Sequence, residues 1–149
     1  HNVVKELHGK DCLVVGAITN KKHANGIGRL KTLSIHTKIL EHQDFPSREE
    51  FDSELLKLVK EYDADLVVLS GFMRILTDVF ASNVNAINLH PSLLPKYKGS
   101  RAIEQSFESG DAECGVSVHY VNSELDGGDI ILQKSFTRDE NESFESFYA

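Results

Sequence analysis

The stretch AINLHPSLLP, residues 86–95, runs from a short apolar strand into a loop that proline keeps out of regular structure. Continuous apolar runs also occur at residues 12–18 and 66–69, and each has the length of a strand buried on both faces. Between these runs lie segments with helical spacing of apolar residues. This alternation predicts an α/β fold with a doubly wound, mostly parallel sheet.

The clearest predicted helix follows a capping box. Ser47 and Glu50 have the spacing of that motif, and apolar residues then recur at helical intervals as far as Tyr62. The other predicted elements are strands at 34–40, 86–89, 115–121 and 130–136 and helices at 28–33, 77–82, 101–109 and from 143. In doubly wound sheets ligands bind beyond the carboxyl ends of strands, which is where Asn88 and His90 stand.

Composition argues against several classes of function. The chain has 149 residues, enough for one domain with a substantial core, and its net charge of −7 argues against an open nucleic-acid surface. Its seven histidines and two cysteines lack metal-ligand spacing, so no metal is expected. No segment has the pattern of a membrane span or a signal peptide. We therefore expect a cytoplasmic protein whose partners are small molecules, with no nucleic acid or membrane partner and an oligomeric state that the sequence does not indicate.

Asn88 and His90 are two residues apart, so a strand that persists to His90 points both side chains to one side. An amide can hold an oxyanion and an imidazole can move a proton, and together they could flank one reacting carbonyl. The structural alternative is a capping asparagine and a structural histidine. Pro91 and Pro95 favour catalysis, because they bracket an apolar stretch stiff enough to hold the pair in place.

Asp126 begins an Asp-Gly-Gly sequence that has two compatible interpretations. Asp-Gly is a strong signal for a tight turn, and the glycines also let backbone approach a ligand while the carboxylate points inward. A carboxylate near His90 would favour the protonated imidazole and fix its orientation. We call Asn88, His90 and Asp126 the trio. Without a serine or cysteine nucleophile beside it, the simplest chemistry for the trio is direct transfer of an acyl group between two bound molecules.

The segment Gly71–Leu76 follows a predicted strand and places Arg74 among the apolar residues Met73 and Ile75. Core packing is one account of these apolar residues. The other is a binding site for a flat heterocycle, which requires apolar walls and backbone groups at its polar edges.

Two further features carry less weight. Arg48 lies in the first turn of the capped helix, where it is either solvated or able to capture a carboxylate tail. The sequence Gly-Ile-Gly at 26–28 is only part of a phosphate-loop pattern and does not directly follow a strand, so we discount it.

Together these segments resemble the phosphoribosylglycinamide formyltransferases, a family of folate-dependent enzymes of purine biosynthesis. The resemblance covers most of the chain from about residue 12 and rests on NKK at 20–22, SREEFD at 47–52, GFMRIL at 71–76, NLHPSLLPKYKG at 88–99, GVSVHYV at 115–121 and ELDGG at 124–128. The block at 88–99 is highly specific to folate-dependent formyl transfer, and the other blocks narrow the choice within that group.

The resemblance implies that a formyl group passes from the co-substrate 10-formyltetrahydrofolate to the amine of glycinamide ribonucleotide. By analogy Asn88 stabilises the developing oxyanion, His90 acts as general acid, and Asp126 tunes His90 and organises water. The folate-binding residues implied in the same way are Arg48, Met73, Arg74, Ile75, Leu76, Asn88 and Leu125. The resemblance assigns substrate binding to Gly71 and Pro91.

The chain departs from the family pattern near both ends. It shows no Gly-Asn-Gly-Ser-Asn type of loop to hold the ribonucleotide phosphate, and it stops before the family's final contacts to the ribonucleotide. We therefore expect residues 1–149 to be a single formyltransferase domain, truncated at both ends, that misses the first strand with its phosphate loop and the C-terminal helix. Residues 100–104, Ser-Arg-Ala-Ile-Glu, also differ from the histidine- or alanine-rich stretch that more usually follows the glycine in this family.

Three alternatives remain open at this point. Formyltetrahydrofolate deformylase, a hydrolase, usually carries a second histidine where this chain has Pro91, so Pro91 favours transfer. Methionyl-tRNA formyltransferase shares the Asn-x-His-Pro-Ser-Leu-Leu-Pro block but requires a second domain and a basic surface for tRNA. The third alternative is a folate-binding module without catalysis, which fold alone does not distinguish from an enzyme.

Overall fold

The computed structural model describes residues 1–148, which lie in two compact units, residues 1–64 and residues from 65 onward. The first unit consists of α1 (Asn2–Leu7), β1 (Ala17–Thr19), α2 (Asn25–Lys31), β2 (Thr37–Ile39), a 3-10 helix (His42–Asp44) and α3 (Arg48–Glu61). Strands β1 and β2 are parallel, with Ala17 opposite Thr37. The assignment of the whole chain to a single domain stays a prediction.

The longest helix, α3, begins where the capping box predicts. The Ser47 hydroxyl oxygen accepts a hydrogen bond from the Glu50 backbone N–H at 3.1 Å, which satisfies one of the unpaired donors of the first turn. The buried face of α3 includes Phe51, which is 1% exposed and meets the Phe45 ring edge-on at a centroid distance of 5.7 Å. Burying a side chain of this size stabilises the fold by about 1.5–3 kcal/mol.

Two strand predictions in the first unit are wrong in extent. The run at 12–18 contributes only its last residues to β1, and Leu13 and Val15 are 75% and 52% exposed rather than buried on both faces. Within the described residues β1 pairs with β2 alone, so the apolar run has no second neighbouring strand. The predicted strand 34–40 shortens to Thr37–Ile39, because Ser34 has a left-handed φ of 59° that ends an extended ladder.

The second unit carries a four-stranded sheet of order β3-β4-β5-β6. Its elements are β3 (Val67–Leu69), α4 (Asp78–Ala81), β4 (Ala86–His90), α5 (Ala102–Glu108), β5 (Glu113–Tyr120), β6 (Ile130–Thr137) and α6 (Phe144–Tyr148). The strands β3 and β4 are parallel, whereas β5 is antiparallel to β4 and β6 is antiparallel to β5. The predicted α/β class is confirmed. The strand pairs β1–β2 and β3–β4 are parallel, as predicted for the sheet.

The core of the second unit is formed by side chains from its strands, helices and loops. Its buried apolar side chains are Leu76, Phe80, Ala86, Leu94, Ala102 and Cys114. The predicted burial of the run at 66–69 on both faces is wrong, since Leu66 and Val68 are 43% and 44% exposed. Gly110, with a φ of 73°, follows α5 in the left-handed conformation that commonly ends a helix. Between residues 1 and 148, no helix has the length and apolar character needed to cross a membrane.

Candidate active site

Strand β4 persists to His90, as the same-side prediction for Asn88 and His90 requires. Both side chains reach Asp126, which lies 38 and 36 residues further along the chain. The Asn88 side-chain nitrogen Nδ2 is 3.5 Å from Asp126 Oδ1, and His90 Nδ1 is 3.5 Å from Asp126 Oδ2. The structure therefore brings the three residues of the trio into one cluster.

Asp126 combines the two roles that its sequence suggests. It lies in the turn after β5 with a φ of 46°, a left-handed conformation that aspartate tolerates better than most residues. Its side chain is only 8% exposed, and Oδ2 accepts a hydrogen bond of 2.8 Å from the Gly99 backbone N–H. A buried carboxylate with such a donor and an imidazole beside it is held in one orientation, because each oxygen faces a defined partner.

The hydrogen bonds of His90 distinguish its two ring nitrogens. Nε2 lies 2.8 Å from the backbone carbonyl oxygen of Tyr97, which can only accept, so Nε2 carries the proton and donates. The other nitrogen, Nδ1, faces the Asp126 carboxylate. His90 is 4% exposed. The nitrogen that can gain and lose a proton within the cluster is therefore Nδ1.

A fourth residue, His119, belongs to the cluster and is missing from the sequence-based prediction. It lies opposite Asn88 in the β4–β5 register and is 3% exposed. Its Nε2 is 3.2 Å from Asn88 Nδ2 and 3.5 Å from Asp126 Oδ1. The signal was present in β5, where Ser117 and His119 are polar residues on one face of a strand whose other face is apolar.

His119 determines which end of the Asn88 amide faces it. Its Nδ1 is 2.8 Å from the Tyr120 carbonyl oxygen and donates to it, so in the neutral ring Nε2 is an acceptor. An acceptor at 3.2 Å requires the amide NH₂ of Asn88 rather than its oxygen. The second N–H of that NH₂ points towards Asp126 Oδ1 at 3.5 Å, a long contact that an anionic ligand oxygen could replace.

The predicted folate segment follows β3 and is largely open. Met73 and Ile75 are 65% and 44% exposed, whereas Leu76 is 4% exposed and belongs to the core. Gly71 is exposed with a φ of 69°, and Arg74 is half-buried. The core-packing account therefore holds for Leu76 alone.

The remaining predicted residues lie in three different places. Leu125 is 45% exposed and sits next to Asp126 in the turn, near Gly99. Pro91 directly follows β4 and is half-buried. Arg48 is the first residue of α3, in the other compact unit, and is exposed.

Two other observations concern possible metal ligands and cavities. Among residues 1–148, no group of three or more histidine, cysteine, aspartate and glutamate side chains is arranged to hold a metal ion. A cavity of about 420 Å³ is lined by residues 93–96 and 111–113, and none of the trio lines it.

Comparison with known proteins gives a consistent result. Residues 2–149 match the Formyl transferase family. Phosphoribosylglycinamide formyltransferase of Escherichia coli is 47% identical over 122 residues, which are 80% of this chain and 58% of that protein. The protein of the same name from Haemophilus influenzae is 40% identical over 78% of this chain and 56% of its own length. The chain thus spans a little over half of these two relatives.

Solved structures agree with the sequence relatives. The crystal structure of phosphoribosylglycinamide formyltransferase from Campylobacter jejuni superposes with a TM-score of 0.95 at 49% identity, over 99% of this chain and 80% of that one. The enzyme from Streptococcus pneumoniae superposes with a TM-score of 0.90 at 28% identity, over 97% of this chain and 79% of that one. On sequence and on structure, the chain belongs to the formyl transferase family.

Proposed function

We propose that the full-length protein transfers the formyl group of 10-formyltetrahydrofolate to the amine of glycinamide ribonucleotide, a step of de novo purine biosynthesis. The observation that carries the proposal is the convergence of Asn88, His90 and Asp126, buried or half-buried, with 3.5 Å contacts to the shared carboxylate. The relatives named phosphoribosylglycinamide formyltransferase support the choice of acceptor and of the transferred group, and membership of the formyl transferase family supports a folate-type donor.

The proposed reaction begins when the ribonucleotide amine attacks the formyl carbon. The carbonyl π electrons move to oxygen, and the oxyanion takes the Asn88 N–H that otherwise points towards Asp126. The tetrahedral intermediate then collapses, re-forming the carbonyl and breaking the bond from the formyl carbon to folate N10. The attacking nitrogen loses one proton and N10 gains one, so the products balance.

His90 is proposed to move that proton through Nδ1. Nε2 keeps its own proton because it donates to the Tyr97 carbonyl, which leaves Nδ1 as the exchangeable position. Asp126 stabilises the imidazolium across 3.5 Å. General acid–base catalysis of this kind contributes about 10²–10⁴-fold to a rate.

The folate is proposed to bind on the open segment after β3. Met73 and Ile75 offer exposed apolar surface to a flat ring, and Arg74 and the neighbouring backbone offer polar groups at its edge. Leu125 is proposed to border the same ring, and Leu76 supports the segment from the core. Gly71 and Pro91 are proposed to bind the acceptor substrate, and the assignment of Arg48 to the carboxylate tail of the folate stays a prediction. A cytoplasmic location is part of the same proposal.

The test is turnover of 10-formyltetrahydrofolate by the full-length protein with and without glycinamide ribonucleotide. We expect tetrahydrofolate to form only when the acceptor is present, with one formylated ribonucleotide for each folate released. Equal folate turnover without the acceptor would identify a hydrolase instead. Folate binding without turnover under either condition would identify a non-catalytic module.

A further inference from the structure

The loop formed by residues 96–99 holds both members of the His90–Asp126 pair through its backbone. The Tyr97 carbonyl accepts from His90 Nε2 at 2.8 Å, and the Gly99 N–H donates to Asp126 Oδ2 at 2.8 Å. One carbonyl and one N–H, two residues apart, therefore determine how His90 Nδ1 faces the carboxylate. Any displacement of this loop changes that geometry.

The backbone of this loop has a conformation that requires support. Tyr97 has a φ of 54°, in the left-handed region that a side chain with a Cβ disfavours. Gly99 follows with a φ of 91°, where the absence of a side chain removes the penalty. Tyrosine brings no such freedom, so the contacts of the loop offset this cost, among them those of the Tyr97 side chain.

Those contacts are made to Asp111. The Tyr97 hydroxyl donates to Asp111 Oδ2 at 2.7 Å, and Lys96 Nζ lies 2.7 Å from the same oxygen. Asp111 is anchored in turn, because its backbone N–H donates to the Ser109 hydroxyl at 3.1 Å. On the other side of the loop, the Ser92 hydroxyl donates to the Lys96 carbonyl at 2.6 Å.

The acceptor in this arrangement stays charged at neutral pH. The hydrogen bond from Lys96, with a second from the Tyr97 hydroxyl, holds the pKa of Asp111 below its ordinary value of 3.8. A charged carboxylate accepts a shorter and stronger hydrogen bond than a neutral group does. The contact from Tyr97 to Asp111 is therefore suited to fixing the loop at neutral pH.

We propose that Tyr97 and Asp111 are positioning residues for His90: their hydrogen bond holds the Tyr97 carbonyl where it keeps the His90 proton on Nε2 and presents Nδ1 to the reaction. The kinetic consequence rests on the proposed formyl transfer. The orientation and tautomer of the His90 ring do not depend on formyl transfer, so the positioning role and the proposed reaction can be tested separately.

The experiment compares Tyr97→Phe, which removes only the hydroxyl, with Tyr148→Phe as a matched control. Tyr148 is 64% exposed in α6, where its ring lies beside that of Phe144. The first measurement is the ¹⁵N spectrum of the His90 imidazole at a pH where the ring is neutral. The second is kcat and KM of the full-length protein. Asp111→Asn is a second variant, which retains an acceptor oxygen without the charge.

We expect wild type and Tyr148→Phe to show His90 protonated on Nε2 alone, and Tyr97→Phe to show a mixture of the two tautomers. In Tyr97→Phe, kcat should fall about 3- to 10-fold, as for the loss of one hydrogen bond, with KM for folate unchanged within about twofold. Asp111→Asn should change both readouts in the same direction and by less.

An unchanged His90 tautomer in both folded variants, with wild-type kcat, would overturn the inference and leave the proposed function intact. If the tautomer shifts in Tyr97→Phe but the wild-type protein transfers no formyl group, the positioning role is supported and the proposed reaction is ruled out. If Tyr97→Phe does not fold, Asp111→Asn decides the question through the same two measurements.

Discussion

The carboxyl ends of β3 and β4 are neighbours in the sheet, with Leu69 opposite Asn88, yet they present different surfaces. The end of β4 carries buried polar side chains: His90 is only 4% exposed, and its Nε2–H donates to the Tyr97 carbonyl oxygen. After β3 lies open apolar surface, with Met73 65% exposed. The β4 end is thus preorganised before any ligand arrives, whereas the β3 end has surface that a ligand would cover.

The largest expected effect is on the β4 side of this comparison. His90→Ala should lower kcat about 10²–10⁴-fold, because it removes the group that moves the proton. Folate binding should persist, since the proposed folate surface lies on the β3 side. Steady-state kinetics together with folate titration would separate the two effects. Near-wild-type kcat in His90→Ala would remove this residue from the mechanism.

The second prediction contrasts two apolar residues of the β3 side. Leu76→Ala should lower the free energy of unfolding by about 2–5 kcal/mol, because Leu76 is 4% exposed and its truncation leaves a cavity. Met73→Ala should change it by less than about 0.5 kcal/mol, as for an exposed residue, and should instead weaken folate binding. Chemical denaturation and folate titration measure the two quantities. Equal destabilisation by both substitutions would show that Met73 is part of the core.

The third prediction returns to the β4 side. Asp126→Asn should lower kcat about 10- to 100-fold, because the charged partner that faces the imidazolium at 3.5 Å is lost, and should shift the acid limb of the pH–rate profile. Asp129→Asn is the matched control, since Asp129 is exposed in the same loop. A pH–rate profile identical to that of wild type would reduce Asp126 to a turn residue.

The smallest effect concerns the loop that supports the β4 side. The pKa of Asp111 is lowered in the folded protein, so its charge stabilises the fold above the ordinary value of 3.8, and this contribution is lost as the pH falls through the lowered pKa. Asp111→Asn should therefore be less stable than wild type at neutral pH, and the difference should vanish in strong acid. Thermal unfolding across the pH range measures it, and a difference independent of pH contradicts the assignment.

The sequence predicts what depends on local pattern. The helix start capped by Ser47 and the period-two placement of Asn88 and His90 are both found, because each is determined by residues a few positions apart. The burial of a strand is not predicted by an apolar run alone, as Val68 in β3 shows at 44% exposure, because burial depends on which layers cover the strand.

The candidate site also has features that the sequence predicts and features that it does not. The trio is chosen from residue types and spacing. The polar face of β5 marks His119 as unusual, but its position opposite Asn88 depends on the antiparallel register of β4 and β5, which the local sequence does not specify. The role of the Tyr97 carbonyl could not be predicted for another reason: every residue has a backbone carbonyl, so the sequence does not show which one meets His90. Long-range register and backbone contacts therefore set the limit of prediction here.

The central claim is that His90 and Asp126 act as one catalytic unit, and a double-mutant cycle on kcat tests it most directly. The four proteins are wild type, His90→Ala, Asp126→Asn and the double variant, each checked for a native fold. If Asp126 acts through His90, the double variant should be about as slow as His90→Ala alone, because the partner has nothing left to stabilise. Losses that multiply, so that each substitution costs the same factor with or without the other, would contradict the account.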